Sequence, residues 1–437
     1  MGRKAAFHTL GCKVNSYETE AMQQLLEEAG YEIVPFQEGA DVYIINTCSV
    51  TNVADRKSRQ MLHRARKMNP AAVVAAVGCY VQAAAEKLEQ DEAVDLVIGN
   101  NRKNDLPAIL EAYFSGRGGR REVIDIACAR EYEPLSIRRV SDHTRAFIKI
   151  QDGCNQFCSY CIIPYTRGRI RSRRPEEVAE EAERLAAAGY REIVLTGIHL
   201  SSYGADWTDR EENLLRLIRR LDGIRGISRI RLGSLEPRII TPEFAAALAE
   251  LETICPHFHL SLQSGCDATL QRMNRHYTTA EYGERCAILR EAFANPALTT
   301  DVIVGFPGET EEEFEETRQF LERIHFYEMH VFKYSRRAGT RAARMEGQIP
   351  EEVKTARSEI LLKLDQELSA AYRAQFLNRE EELLLEEAEE IGGKRYMTGY
   401  TGQYVRGAVP FEEGLNNQTV TGVFTGFLSR DILLLNR

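Results

Sequence analysis

No stretch of this chain is apolar enough to cross a bilayer. The longest purely apolar run, Ala71–Val77, falls far short of the roughly 18 residues a membrane helix needs. The opening MGRKAAFHTLGC has too short an apolar run for a secretory signal, so the expected setting is cytoplasmic, with no membrane partner. Repeat arrays and low-complexity tracts are also missing. Positive charge is not in excess: 56 Lys and Arg against 65 Asp and Glu leave a formal net charge of −9. That total says nothing against RNA, because recognition depends on whether cations gather on one surface. The nine histidines form no HxxxH or HExxH pattern, and His199 and His259 read as strand-end or core residues.

What is present is a long soluble chain. Its 437 residues, 43% hydrophobic and 28% charged, suggest about three domains of ordinary size. In the first hundred residues strands expected at 5–10, 41–47, 71–77 and 94–99 alternate with helices at 18–29 and 55–67, which favours a mostly parallel sheet covered by helices. Residues 115–142, rich in Gly, Arg and Pro, read as a linker. Beyond it, strands expected at 146–150, 192–196, 229–232, 257–262, 300–304 and 329–334 alternate with helices such as 175–188 and 311–324. Six strand–helix units predict an open or partial (β/α) barrel with its chemistry at the carboxyl ends of the strands. A polar helical pattern spans 350–376, and the short, Gly-rich β segments after it predict a small OB-like barrel. The expected class is therefore α/β: an N-terminal parallel-sheet domain (1–115), a partial (β/α)6 barrel (140–370) and a C-terminal small β-barrel (373–437).

Ten cysteines in a chain without an export signal are better read as metal ligands or catalytic groups than as disulfides. The sharpest motif is Cys154-x-x-x-Cys158-x-x-Cys161. Three thiolates on one loop can hold three irons of a 4Fe–4S cluster and leave the fourth open, as a substrate-activating cluster requires. Structural zinc is the plainer alternative, but zinc sites usually add a second ligand pair, and none is present. A second set, Cys12, Cys48 and Cys79, lies just past three expected strands in TLGC, INTC and AVGC. If those strands are parallel in one sheet, the thiols emerge on the edge where open α/β sheets bind ligands; buried packing cysteines are the alternative. Cys128, Cys255, Cys266 and Cys286 have no metal spacing and read as packing or surface thiols.

The motif of Cys154, Cys158 and Cys161, opening a six-unit α/β series, resembles the radical S-adenosylmethionine (SAM) superfamily. That resemblance implies that the open iron chelates SAM and that electron transfer cleaves it to methionine and a 5′-deoxyadenosyl radical. Tyr160 then matches the position beside the adenine. Gly197 matches backbone that binds the SAM amino group, Glu236 and Gln263 match polar strand-end groups of the cofactor pocket, and Gly305, with Gly308, matches backbone approaching the adenine. Ordinary turn glycine is the alternative for the glycines. The two triplets in this order, with a small C-terminal β-domain, resemble the methylthiotransferases over essentially the whole chain, and the last domain then corresponds to a TRAM domain. LGCKVNSYETE and NTCSVTNVADRKSRQ resemble the branch acting on N6-threonylcarbamoyladenosine beside the tRNA anticodon. The resemblance implies two 4Fe–4S clusters, SAM, a tRNA anticodon stem-loop, and an electron donor such as flavodoxin or ferredoxin. Sister enzymes act on isopentenyladenosine or on a ribosomal-protein aspartate, and a non-catalytic iron–sulfur RNA-binding protein is a rival of another class.

Two basic stretches lie beside the cysteine motifs: 55–67 after Cys48, and 167–174 after Cys161, with Arg167, Arg169, Arg171 and Arg173. They are expected to contact phosphates, although some of these arginines could instead bind the SAM carboxylate. In the tail Lys394, Arg395, Tyr396, Tyr400, Tyr404 and Arg406 interleave charge and aromatics, as RNA-binding barrels do.

Overall fold

The computed structural model describes residues 2–138, 144–209, 211 and 213–437. The end of the expected linker, 139–142, and the expected start of the second domain at 140 lie outside these residues.

The first unit is a six-stranded parallel sheet in the order β2-β1-β3-β4-β5-β6. Its strands are β1 (Lys4–Thr9), β2 (Glu32–Val34), β3 (Val42–Thr47), β4 (Val73–Gly78), β5 (Leu96–Ile98) and β6 (Arg121–Glu122). β3 and β4 are buried along their whole length, as expected of central strands covered on both faces. Four of these strands follow the expected pattern, and two do not. β2 is a short edge strand, and β6 falls inside the segment read as a linker. That segment is not a free connector: Leu135 and Ile137 are buried in the core of the next unit, so its Arg and Gly content concealed two core positions.

The second unit contains β7 (Arg145–Asp152), β8 (Arg171–Ser172), β9 (Glu192–Gly197), β10 (Arg229–Leu232), β11 (His257–His259), β12 (Ala297–Val304) and β13 (Glu328–Lys333). β7, β9 and β10 pair in parallel, as do β11, β12 and β13. Parallel bridges Ile230–Ile254 and Leu235–Leu260 join the two groups. β8 and β13 are edge strands, so the barrel is open along one side. Ile148, Ile193, Leu195, Ile230, Leu232 and Phe258 face the outer helices in one core; alternation therefore turns Lys149, Thr196, Arg231, His259 and Asp301 the other way. The helix Glu311–Ile324 begins with the capping box of Thr310 and Glu313, as its sequence signature predicts.

The last unit is a closed five-stranded barrel of β14 (Glu380–Ile391), β15 (Lys394–Tyr400), β16 (Arg406–Pro410), β17 (Thr419–Phe427) and β18 (Leu433–Asn436), in the order β14-β15-β16-β18-β17. It docks at the starts of the large barrel's strands. Arg229 donates to the carbonyl of Tyr400 at 2.7 Å and pairs with Glu382 at 2.9 Å, and Arg231 donates to the carbonyl of Gly402 at 2.9 Å. Tyr400 and Tyr404 stack with centroids 4.4 Å apart under Arg145. Their interleaved pattern therefore serves a domain contact in which cations cover the rings, which corrects the expectation that these two tyrosines face RNA.

Candidate active site

Cys12, Cys48 and Cys79 follow β1, β3 and β4, which are neighbours in one parallel sheet, so the thiols emerge at a single carboxyl edge. Close approach there depends on Gly11, at φ +109°: a Cβ on it would fall 3.1 Å from Cys48 Sγ and 3.1 Å from Asn15 Nδ2. Asn15 ties the edge together, donating to the carbonyls of Leu10 at 2.7 Å and Thr47 at 3.1 Å. Asn100 Nδ2 lies 3.6 Å from Cys79 Sγ and donates to the carbonyl of Thr166 at 2.7 Å. Burial pushes the Cys48 thiol up to about 11.

The second triplet occupies the loop after β7. Cys158 Sγ accepts from the half-buried guanidinium of Arg275 at 3.3 Å, and Cys154 Sγ accepts from the backbone amide of Gln156 at 3.5 Å. Burial raises Cys154 to about 11 and Cys161 to about 12. Thiols that burial holds protonated become thiolates when a metal takes the proton's place. Three thiols at one sheet edge and three lining one cavity, the first set beside an asparagine amide and the second beside an arginine, are donor sets that could each hold a cluster with one iron free.

Two cavities meet at this loop. One, of about 130 Å³, is lined by all three cysteines of the second triplet with Tyr160, His199, Ser234, Glu236, Ser261, Gln263 and Arg275. The other, of about 290 Å³, shares Tyr160, Cys161 and Gln263 with it and continues past Asp301, Ile303 and Phe332 to Val50 and Thr51, which follow Cys48. Gln263 has φ +75°, an unusual conformation for a non-glycine residue. Val50 and Phe332 are large apolar side chains left exposed.

Residues 148–321 match the Radical SAM superfamily, and residues 4–99 match the family described as Uncharacterized protein family UPF0004. The threonylcarbamoyladenosine tRNA methylthiotransferase MtaB of Bacillus subtilis is 46% identical over 92% of this chain and 89% of its own length. The tRNA-2-methylthio-N(6)-dimethylallyladenosine synthase of Moorella thermoacetica is 39% identical over 86% of each chain. The chain belongs to the radical SAM methylthiotransferases. In architecture it resembles the radical SAM methyltransferase TsrM of Kitasatospora setae, with a TM-score of 0.56 over 76% of this chain and 75% of that one at 16% identity. Methylthiotransferases of this family use SAM and 4Fe–4S clusters and transfer a methylthio group. No helix among the described residues is long and apolar enough to cross a membrane.

Against this methylthiotransferase frame, Tyr160, Glu236 and Gln263 line the cysteine cavity. Gly197 closes β9 one residue before Ile198, which lines the same cavity, and it packs against Gln151. Gly305 lies elsewhere: its amide donates to Glu309 at 3.0 Å, and a Cβ on it would meet Lys354 at 2.3 Å. Its freedom serves contact with the helix Glu351–Ala374.

The arginine run needs a larger correction. Arg167, Arg171 and Arg173 are buried, and only Arg169 of the four is exposed. Arg167 pairs with Glu18 at 2.7 Å and Asp152 at 3.2 Å and donates to Asn15 at 2.7 Å. Arg173 pairs with Glu181 and donates to Tyr17 at 3.2 Å. These side chains join the two cysteine-bearing units and are unavailable to phosphate. On the helix Asn52–Met68, by contrast, Arg56, Lys57, Arg64 and Lys67 are exposed, as are Lys394 and Arg395 on the small barrel. Sequence reasoning missed Arg275, Ser234 and Ser261 in the cavity. Asp301 was also missed, and His259, read as a strand-end or core residue, is hydrogen-bonded to it; single polar residues in barrel strands carry no spacing signature.

Proposed function

We propose that this chain attaches a methylthio group to carbon 2 of N6-threonylcarbamoyladenosine beside the tRNA anticodon. The observation that carries the reading is one cavity running from the loop of Cys154, Cys158 and Cys161 to the loop after Cys48, in a chain 46% identical over 92% of its length to a threonylcarbamoyladenosine tRNA methylthiotransferase. The clusters, held by Cys154, Cys158 and Cys161 and by Cys12, Cys48 and Cys79, supply when bound the electron that cleaves SAM and the sulfur that is transferred.

The remaining work belongs to the side chains. Tyr160, Glu236 and Gln263, with Ser234 and Ser261, provide the polar lining against which SAM is oriented, and Gly197 lets backbone approach it. Arg275 places a fixed positive charge on Cys158. Val50, Ile303 and Phe332 form apolar walls for the target base and keep water from the reacting carbon. The base must leave its stack to enter, which an anticodon loop permits more cheaply than a duplex. Arg169, Lys394 and Arg395, with the exposed cations of 52–68, are exposed side chains placed to hold phosphates. In this reading residues 1–115 donate sulfur, 140–370 generate the radical and 373–437 capture RNA in the cytoplasm, with flavodoxin or ferredoxin as electron donor.

Nucleoside mass spectrometry of tRNA from a deletion strain tests the proposal. The 2-methylthio-threonylcarbamoyl nucleoside should vanish and return with the wild-type gene. Its persistence, with loss of a methylthio-isopentenyl nucleoside instead, would overturn the substrate assignment.

A further inference from the structure

The inner wall of the barrel carries a polar group that none of the roles above uses. His259, Asp301 and His330 stand on the adjacent strands β11, β12 and β13. Asp301 lines the cavity that also contains Cys161 and Phe332. One carboxylate oxygen lies 3.3 Å from His259 Nε2 and the other 3.2 Å from His330 Nδ1. His259 Nδ1 is 3.0 Å from the Thr299 hydroxyl, and the two imidazoles stack with centroids 5.5 Å apart. Both nitrogens of His259 and both oxygens of Asp301 are therefore engaged.

His330 differs. Its Nδ1 is committed to Asp301, its side chain is 57% exposed, and its Nε2 is left over. Strand alternation puts His330 on the same face as Phe332, whose side chain borders the cavity. A carboxylate that fixes one ring nitrogen sets the orientation of the ring and aims the other nitrogen outward. The arrangement is a donor held in place beside the cavity, backed by an anion that favours the imidazolium form.

We propose that His330, oriented by Asp301, reads the threonylcarbamoyl side chain of the substrate by donating from Nε2 to its carboxylate. The inference rests on the threonylcarbamoyl reading above and adds how the enzyme separates that substrate from adenosines that lack an acidic substituent. An isopentenyl group has no acceptor, so it would strip water from the imidazole and return nothing; such an unmatched polar group is how sites reject apolar analogues. The charged groups facing His330 are Asp301, Glu328 and Asp365, with His259 stacked on it. The hydrogen bond to Asp301 raises the His330 pKa, and burial opposes it. Preference for the acidic substrate is thus full below that pKa and is lost as pH rises through it.

The test is a competition experiment with the reconstituted full-length enzyme. Two anticodon stem-loops are compared, one bearing N6-threonylcarbamoyladenosine and one bearing unmodified adenosine at the same position. The wild-type protein should favour the first by at least about tenfold, the size expected of one charge-assisted hydrogen bond. His330→Phe should bring the ratio close to one. His330→Gln should keep part of it and lose its pH dependence, and Asp301→Asn should move the pH midpoint down. The ratio is internally controlled, since a misfolded variant loses both RNAs together; in that case His330→Gln decides. A preference unchanged in both His330 variants overturns the proposal. So does a divalent ion beyond the cluster iron that is lost in Asp301→Asn while the preference stays. If the wild-type protein methylthiolates isopentenyladenosine RNA and ignores the threonylcarbamoyl RNA, the substrate reading has failed instead, and the two failures are distinguishable.

Discussion

Arg167 has a fully buried side chain, and its neighbours explain how the interior tolerates it. Lys103, Lys149, Arg167 and Arg171 surround the carboxylates of Glu18 and Asp152. Burial alone would raise the pKa of Glu18, but Arg167, Lys103 and Lys149 outweigh it and hold the carboxyl well below its usual range. Burial likewise opposes the ionisation of Asp152, and Lys149, Arg167 and Arg171 hold its pKa down. A depressed carboxyl pKa contributes stability that is complete above the unfolded value, near 4, and is lost as pH falls toward the folded value. Acid titration followed by circular dichroism should therefore show stability falling below about pH 4, and Glu18→Gln should flatten that limb. Arg167→Ala would leave both carboxylates short of a partner and should cost about 3–5 kcal/mol in thermal or urea unfolding. Arg169→Ala should leave stability unchanged and reduce the salt slope of tRNA binding by about one. Arg171→Ala should lower stability without changing that slope.

At the scale of elements, the loop after Cys48 is tied to the chain after β13. Arg337 pairs with Asp55 at 2.8 Å and donates to Asn52 at 2.7 Å and Ser49 at 2.8 Å. Arg337→Ala should loosen that loop, lowering methylthiolated product per SAM cleaved by tenfold or more while 5′-deoxyadenosine still forms; product ratios by chromatography check it. Much of this scale was legible in the sequence. Hydrophobic periodicity and helix stops located the strands that precede both cysteine triplets, and the helix Glu311–Ile324 was readable from Thr310 onward because capping is local chemistry. β6 and the buried Leu135 and Ile137 were not legible, because their burial depends on partners far away in the chain. The arginines of 167–173 misled for the same reason: a basic run reads as a solvated face until the acids opposite it, Glu18 on one helix and Glu181 on another, are known.

For the whole molecule, the small barrel is held by buried charge as well as by apolar packing. Arg231 bridges the carbonyl of Gly402 and the carboxylate of Glu192, at 2.9 and 2.8 Å. Arg231→Ala should leave Glu192 underpaired and lower the melting temperature; because the cysteine loops lie at the other end of the strands, iron content after reconstitution should be retained, as chemical iron analysis would verify. The open side of the large barrel has a separate consequence. Between β8 and β13 no ladder of backbone hydrogen bonds closes the wall among the described residues; the chain beside each strand is held instead to the first unit, Arg167 on Glu18 before β8 and Arg337 on Asp55 after β13. Each edge is therefore anchored to a common third body and not to its opposite, whereas a closed barrel holds its wall by strand pairing alone. The first unit thus clasps the open barrel at both of its free edges.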